Sequence, residues 1–342
     1  MSGVVLTGHG GPEVLAWRDD LPVPVPGPGD VLIRVTAAGV NNTDINTRIG
    51  WYSKGDQDAA DAAWTGKPLD LPLIQGADIC GPIEAVGPGV DRARIGNRVI
   101  VEPCLREVNG SEVSPPWYIG SECNGGFAQY VRVAASHAHS IDAPLSDVEL
   151  ASFPCSYSTA ENMLTRASVD HADTVLVTGA SGGVGSATVQ LARARGARVI
   201  AVTSPAKADT LRGLGADRTV GRSDDLVSAI GANSVDVVID LVAGPAWPTL
   251  LDVLRPGGRY AVAGAIAGPE VMLDVRTLYL KDLSFFGCTI LDPGVFAALV
   301  TRIERSEIAP LVAETFPLRD ISAAQAAFQE KGHVGKIVLT VP

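Results

Sequence analysis

Aromatic residues are scarce, with Phe, Trp and Tyr making 5% of the 342 residues, and charged residues reach only 19%, against about a quarter in an ordinary soluble domain. Positive charge is the rarer sign. Lys and Arg number 27 against 38 Asp and Glu, a net charge of −11, and a field of that sign repels phosphate backbones and anionic headgroups. Neither nucleic acid nor a membrane surface is therefore an expected partner. No apolar run approaches the ~20 residues of a bilayer span, and Met1 to Val5 lack the basic and apolar regions of a secretory signal, so a cytoplasmic location is expected. Cys80, Cys104, Cys123, Cys155 and Cys288 are odd in number, widely spaced and never in C-x-x-C. That pattern disfavours both a disulfide framework and a closed Cys-rich zinc site, and reduced thiols are expected. No internal repeat is visible.

What the chain has in quantity is small and apolar side chains: 37 Gly, 23 Pro and 46% hydrophobic residues. Such a composition excludes disorder, and the length suggests about two domains. Up to about residue 140, short β-rich runs such as Val31–Val35, Arg98–Val101 and Ala128–Val133 are separated by Gly and Pro, which reads as an antiparallel, partly closed β domain. Two polar interruptions, Ser53 to Asp70 and Leu105 to Ser121, are longer than ordinary connections and suggest a flap or lobe. From about Asp173, apolar strands alternate with helical stretches, the pattern of a parallel sheet covered on both faces. The segments after Pro293 do not extend that alternation and are assigned to the first domain.

The run from Thr174 to Gly185 is a strand, a glycine-rich turn and a helix start, matching G-x-G-x-x-G with Ala180, Gly182 and Gly185 in the three places. The second glycine lets backbone approach a pyrophosphate and the third lets helix and strand pack closely. The helix N-terminus offers free N–H groups to an anion. A dinucleotide site is predicted over Ala180, Ser181, Gly182, Gly183, Val184 and Gly185. About 20 residues on, where a carboxylate accepting from a free ribose would be Asp or Glu, the chain reads Thr203-Ser204-Pro205-Ala206-Lys207. No acid repels a 2′-phosphate there, and hydroxyls with a lysine can receive one, so NADPH is the expected cofactor. A helix-capping Ser-Pro followed by a solvated lysine remains compatible with the same residues.

Several segments in order, among them Gly39-Val40-Asn41-Asn42-Thr43-Asp44, Gly87-Pro88-Gly89-Val90, Gly125-Gly126-Phe127-Ala128-Gln129-Tyr130 and Val334-Gly335-Lys336-Ile337-Val338, resemble the medium-chain dehydrogenase/reductase superfamily. The similarity covers essentially the whole chain and points to the zinc-independent quinone oxidoreductase-like branch. It implies an α/β protein with a GroES-like β-rich catalytic domain over 1–145 and 292–342. A Rossmann domain, a doubly wound parallel sheet, is inserted over 146–291, and the active site lies in the cleft between them. Zinc alcohol dehydrogenases of the superfamily carry metal ligands where this chain has Asn41, Ala77 and Cys155, and their four-cysteine lobe has no counterpart in Leu105–Glu122. One soft ligand does not make a Zn²⁺ site, so no metal is expected and Cys155 reads as a relic or a small buried hydrophobe.

Without a Lewis acid, hydride addition to an enone or quinone is easier than alcohol oxidation. The resemblance makes Asn41 a donor beside the nicotinamide, with a strand-ending turn residue as the alternative, and Tyr52 a phenol for the developing oxyanion. It adds Thr159, Val242, Gly264 and Lys336 to the cofactor contacts. Asp44 and Arg48, at i and i+4, suggest only a surface pair, and His137 and His139 read as solvated. Leu283–Ile290 should be the last strand of the parallel sheet, and an open apolar edge invites pairing. In the superfamily that edge meets its two-fold mate, so a homodimer is expected. The rival readings are an alcohol dehydrogenase or ketoreductase, and an NADPH-binding sensor without catalysis.

Overall fold

A computed structural model describes residues 1–53, 63–65 and 67–342; most of the Ser53–Asp70 insertion, expected to be a flap, lies outside the described residues. The chain divides into two compact units, one of Met1–Cys155, Pro310–Gly332 and Lys336–Pro342, the other of Ser156–Ala309 and His333–Gly335. These bounds differ from those expected at 145/146 and 291/292. The short helix after Pro144 packs on strands of the first unit, and the helix after Pro293 buries Val295, Phe296, Leu299 and Ile303 within the second. No helix among the described residues is long and apolar enough to cross a membrane.

The first unit opens with the β1 (Gly3–Leu6) and β2 (Leu15–Arg18) ribbon, then β3 (Asp30–Arg34), β4 (Ala37–Gly39) and α1 (Asn42–Ile49). Helix α1 starts where Asn41 is extended and stops at Gly50, whose φ of 75° supplies the left-handed cap. Strands β5 (Asp78–Val86) and β6 (Arg98–Val101) follow, then β7 (Cys104–Val108), β8 (Ser111–Tyr118), β9 (Tyr130–Ala134), β10 (Ala138–Ser140) and α2 (Asp147–Leu150). The Leu105–Ser121 interruption is thus a β-hairpin. Its turn is Asn109-Gly110, with φ of 54° and 72°, the two-residue loop that matches strand twist.

Helix α3 (Pro154–Arg166) leads into the second unit: β11 (Thr174–Val177), α4 (Gly183–Ala194), β12 (Arg198–Thr203), α5 (Ala208–Gly213), β13 (Arg218–Gly221), α6 (Leu226–Ile230), β14 (Val235–Asp240), α7 (Trp247–Val253), β15 (Leu254–Val262), α8 (Val275–Leu280), β16 (Ser284–Gly287) and α9 (Val295–Glu304). Its six strands run parallel in the order β13-β12-β11-β14-β15-β16. Val175, Leu176 and Val177 are all buried, as a strand covered on both faces requires. One core of this unit gathers Leu176, Val238, Leu250, Leu254 and Tyr260.

The chain then returns to the first unit with β17 (Val312–Pro317), α10 (Ile321–Glu330) and β18 (Lys336–Thr340). Strand β18 pairs antiparallel with β4 and parallel with β17, completing a sheet of order β10-β6-β5-β4-β18-β17 to which β3 and β9 attach. Its core gathers Ile33, Ile79, Phe127, Leu318 and Leu339.

Candidate functional site: a glycine-rich loop and a buried ion-pair cluster

In the second unit the strand ends β11, β12, β14 and β15 present the expected loop residues at one edge of the parallel sheet, where open α/β sheets bind ligands. Gly179 turns the chain with φ of 56°, Ala180 is buried, and Gly182 is the N-cap of α4. The glycines differ in what requires them. A Cβ at Gly185 would lie 2.3 Å from Gly179 O and 2.6 Å from Ala180 Cα, whereas one at Gly182 would meet only Gly179 O at 3.5 Å, an ordinary contact. Packing explains Gly185. Packing within the protein does not by itself require Gly182, so it is the glycine that the expected approach of a pyrophosphate to the backbone would call for.

Val242 lies on a loop shaped by Asp240. That carboxylate, fully buried, accepts Thr178 Oγ1 and Tyr260 Oη at 2.6 Å and the Val242 and Ala243 N–H groups at 2.9 and 3.2 Å. Gly264, at the end of β15, has no room for a Cβ, which would stand 2.9 Å from Leu241 O. At the end of β12, Thr203 is buried and Ser204 half-buried. Lys207 is not simply solvated: its Nζ donates to His333 O at 2.8 Å. Burial and the charge of Arg222, which follows β13, both lower its pKa, so two cations converge at these adjacent strand ends. The 333–335 segment also donates Gly335 N–H to Ser181 O at 3.1 Å. Thr159 is half-buried on α3.

The first unit holds a buried polar cluster around Asp78, which is 0% exposed, and Lys336, which is 1% exposed. The Lys336 ammonium donates to Asp78 Oδ2 at 2.7 Å, Val40 O at 2.9 Å and Asn41 Oδ1 at 2.5 Å. Its three hydrogens are therefore placed inside this unit. Asn41 belongs to the same cluster. Its Nδ2 donates to Asp78 Oδ2 at 2.8 Å and to Gly39 O at 3.4 Å, so both of its N–H bonds are taken. Asp78 Oδ1 accepts the Cys155 N–H at 2.5 Å. The Cys155 thiol shares a 2.8 Å hydrogen bond with Tyr118 Oη. Burial, then the Asp78 charge, pushes this thiol up to about 12, so it stays neutral and is not a nucleophile.

Asp44 accepts the Asn41 N–H at 2.7 Å. Burial outweighs that bond and the Lys336 charge and lifts its carboxyl to about 7. Asp44 and Arg48 are both buried rather than a surface pair. Arg48 donates to Gln325 Oε1 and to Gly10 O. Tyr52 is half-buried and donates to Thr43 Oγ1 at 3.1 Å; burial raises its pKa. His137, read as solvated, is buried: its Nε2 accepts the Arg106 and Glu107 N–H groups and it faces Glu102, as His139 does. Sequence reasoning missed Asp78–Lys336, Tyr118–Cys155 and Asp240. Only the carboxylate of Gly76-Ala77-Asp78 was a visible signal.

A mostly antiparallel β unit together with a six-stranded parallel sheet bearing a glycine-rich loop is the architecture of a dinucleotide-using oxidoreductase. Residues 27–143 match the family model described as an alcohol dehydrogenase GroES-like domain, and residues 183–305 the model described as a zinc-binding dehydrogenase. The quinone oxidoreductase of Homo sapiens is 29% identical over 99% of this chain and 97% of its own length. The acryloyl-coenzyme A reductase of Metallosphaera sedula is 30% identical over 99% of this chain and 100% of its own. A solved structure of a putative alcohol dehydrogenase from Sinorhizobium meliloti 1021 is 46% identical, covers 100% of this chain and 97% of its own, and superposes with a TM-score of 0.93. The chain belongs to the medium-chain dehydrogenase/reductase superfamily, in its quinone oxidoreductase-like branch.

The zinc implied by one of those family descriptions finds a poor donor set here. Ala77 offers no donor, Asn41 and Asp78 are bonded to an ammonium, and among the described residues no three His, Cys, Asp or Glu side chains group as metal ligands.

Proposed function

We propose that the protein is an NADPH-dependent reductase that adds hydride to a conjugated carbonyl, such as a quinone, enone or enoyl thioester, without a metal. The observation that carries this reading is the Lys336–Asp78–Asn41 cluster, which ties up Asn41, one of the three positions that carry metal ligands in zinc alcohol dehydrogenases of the superfamily, while Ala77 offers no ligand atom. A Lewis-acidic metal polarises a simple carbonyl for reduction or an alcohol for oxidation. Hydride addition to a β-carbon needs alignment and a donor to the enolate oxygen, and the donor in this reading is the half-buried Tyr52 phenol, whose O–H turns from Thr43 Oγ1 to that oxygen. The quinone oxidoreductase and acryloyl-coenzyme A reductase names of two relatives support conjugated acceptors. Lys207 and Arg222 at neighbouring strand ends support a 2′-phosphate and so NADPH.

A second reading, alcohol dehydrogenase, is favoured by the name of the structure that is 46% identical. The experiment is oxidation of NADPH followed spectrophotometrically against quinones, enals, cyclic enones and enoyl thioesters, in parallel with secondary-alcohol oxidation. Turnover of a conjugated acceptor, unchanged after dialysis against a strong chelator, is expected. Alcohol oxidation restored by added zinc would favour the second reading.

A further inference from the structure

We propose that the Lys336 ammonium is this chain's own resident cation, seated among the positions that carry metal ligands in zinc-bound relatives, and that it keeps a divalent ion out. This deepens the metal-free reading above, and its test reads metal and small-cation binding rather than turnover, so it stands or falls apart from the choice of substrate.

Three facts converge on the seat. An ammonium has three donors and no acceptor, and all three are met: Asp78 Oδ2 at 2.7 Å, Asn41 Oδ1 at 2.5 Å and Val40 O at 2.9 Å. The charges balance, since the carboxylate and the ammonium are both essentially without solvent, and a divalent ion there would add two positive charges beside one already paired. The carboxylate is also fixed from its other side, because Oδ1 accepts the Cys155 N–H and Oδ2 the Asn41 amide. It cannot swing out to a metal without abandoning both. Lys336 is thus a positioning residue: it sets the Asn41 carboxamide with its oxygen inward and its N–H groups toward Asp78 and Gly39.

Removing the ammonium leaves three oxygen acceptors around a cation-sized hole. In the full-length protein, Lys336→Ala should therefore accept a replacement. At equal ionic strength, propylammonium is expected to raise its melting temperature by several degrees while tetramethylammonium does not, and neither should move the parent. The parent, dialysed free of metal and exposed to Co²⁺, should hold no stoichiometric ion and show no sulfur-to-cobalt absorption. One Co²⁺ per parent chain, with that absorption lost in Cys155→Ser, overturns the proposal. So does a folded Lys336→Ala indifferent to propylammonium.

Should Lys336→Ala not fold, Lys336→Met and Lys336→Met/Asp78→Asn decide. The single change should melt about 10 °C below the parent, the scale of an uncompensated buried charge in a chain of this size, and the double should recover most of that loss. A double variant no more stable than the single contradicts a balanced seat.

Discussion

Asp44 illustrates how one buried carboxyl couples the cluster to pH. Folded, it holds its proton up to about 7; unfolded, it releases it near the ordinary aspartate value of 3.8. Between those values the folded state binds more protons, so this group's contribution to stability is fullest below the unfolded value and falls as pH rises towards 7. Asp44→Asn, which cannot ionise, should gain on the parent in urea midpoint across that window and hold a constant offset above it. The full change is at most ~4 kcal/mol, three units at about 1.36 kcal/mol each. A midpoint difference that is flat with pH would mean the carboxyl is ionised throughout. At the cofactor, Ser204→Asp should lower kcat/KM for NADPH by roughly ten- to a few hundred-fold, the scale of one or two lost charge-assisted hydrogen bonds. It should leave NADH use equal or better. Lys207→Ala should act in the same direction, because its ammonium and Arg222 already oppose each other and an anion would relieve both. Equal use of both cofactors by the parent would show that neither residue reads the 2′-position.

At the scale of elements, the two loop glycines separate packing from binding. Gly185→Ala forces a methyl into backbone at 2.3 Å and should cost roughly 1–3 kcal/mol of stability, as overpacking does. Gly182→Ala meets ordinary contact and should cost about 1 kcal/mol or less at the cap, while weakening dinucleotide affinity tenfold or more. A thermal melt and a fluorescence titration on both variants check this; Gly182→Ala binding NADPH as the parent does would remove the backbone-approach argument. These elements were legible in the sequence because their causes are local: apolar runs such as Val175–Val177, a turn, then a helix of small residues. The hairpin turn at Asn109-Gly110 was just as local and was passed over within a polar stretch, although Asn-Gly is the strongest short-range hairpin signal. The cluster was not legible. Lys336 and Asn41 stand 295 residues apart, and no spacing rule connects a lysine opening β18 with an asparagine before α1. Asp44 and Arg48 misled because an i, i+4 pair reads the same whether its helix face meets water or core.

For the whole molecule we propose a homodimer. Among the described residues, strand β16 ends the parallel sheet with β15 as its one strand neighbour. Phe285 on this strand is exposed, as are Ile266, Met272, Val275, Tyr279 and Leu280 in the segment that leads into it, Met272 at 85% and Leu280 at 71%. An open edge flanked by apolar surface is a ready template for a second copy. Sedimentation should give twice 35.5 kDa, and Leu280→Glu should shift the population to the single-chain mass; a parent that runs as a single chain at micromolar concentration refutes the dimer. The placement of β18 carries a consequence for how the chain is made. As the polypeptide leaves the ribosome, Asn41 and Asp78 emerge early, yet the ammonium that satisfies them arrives only after the entire parallel-sheet unit has been synthesised. The unit that begins first must therefore finish last, its half-built sheet waiting with an unneutralised aspartate while the inserted unit folds in its shadow.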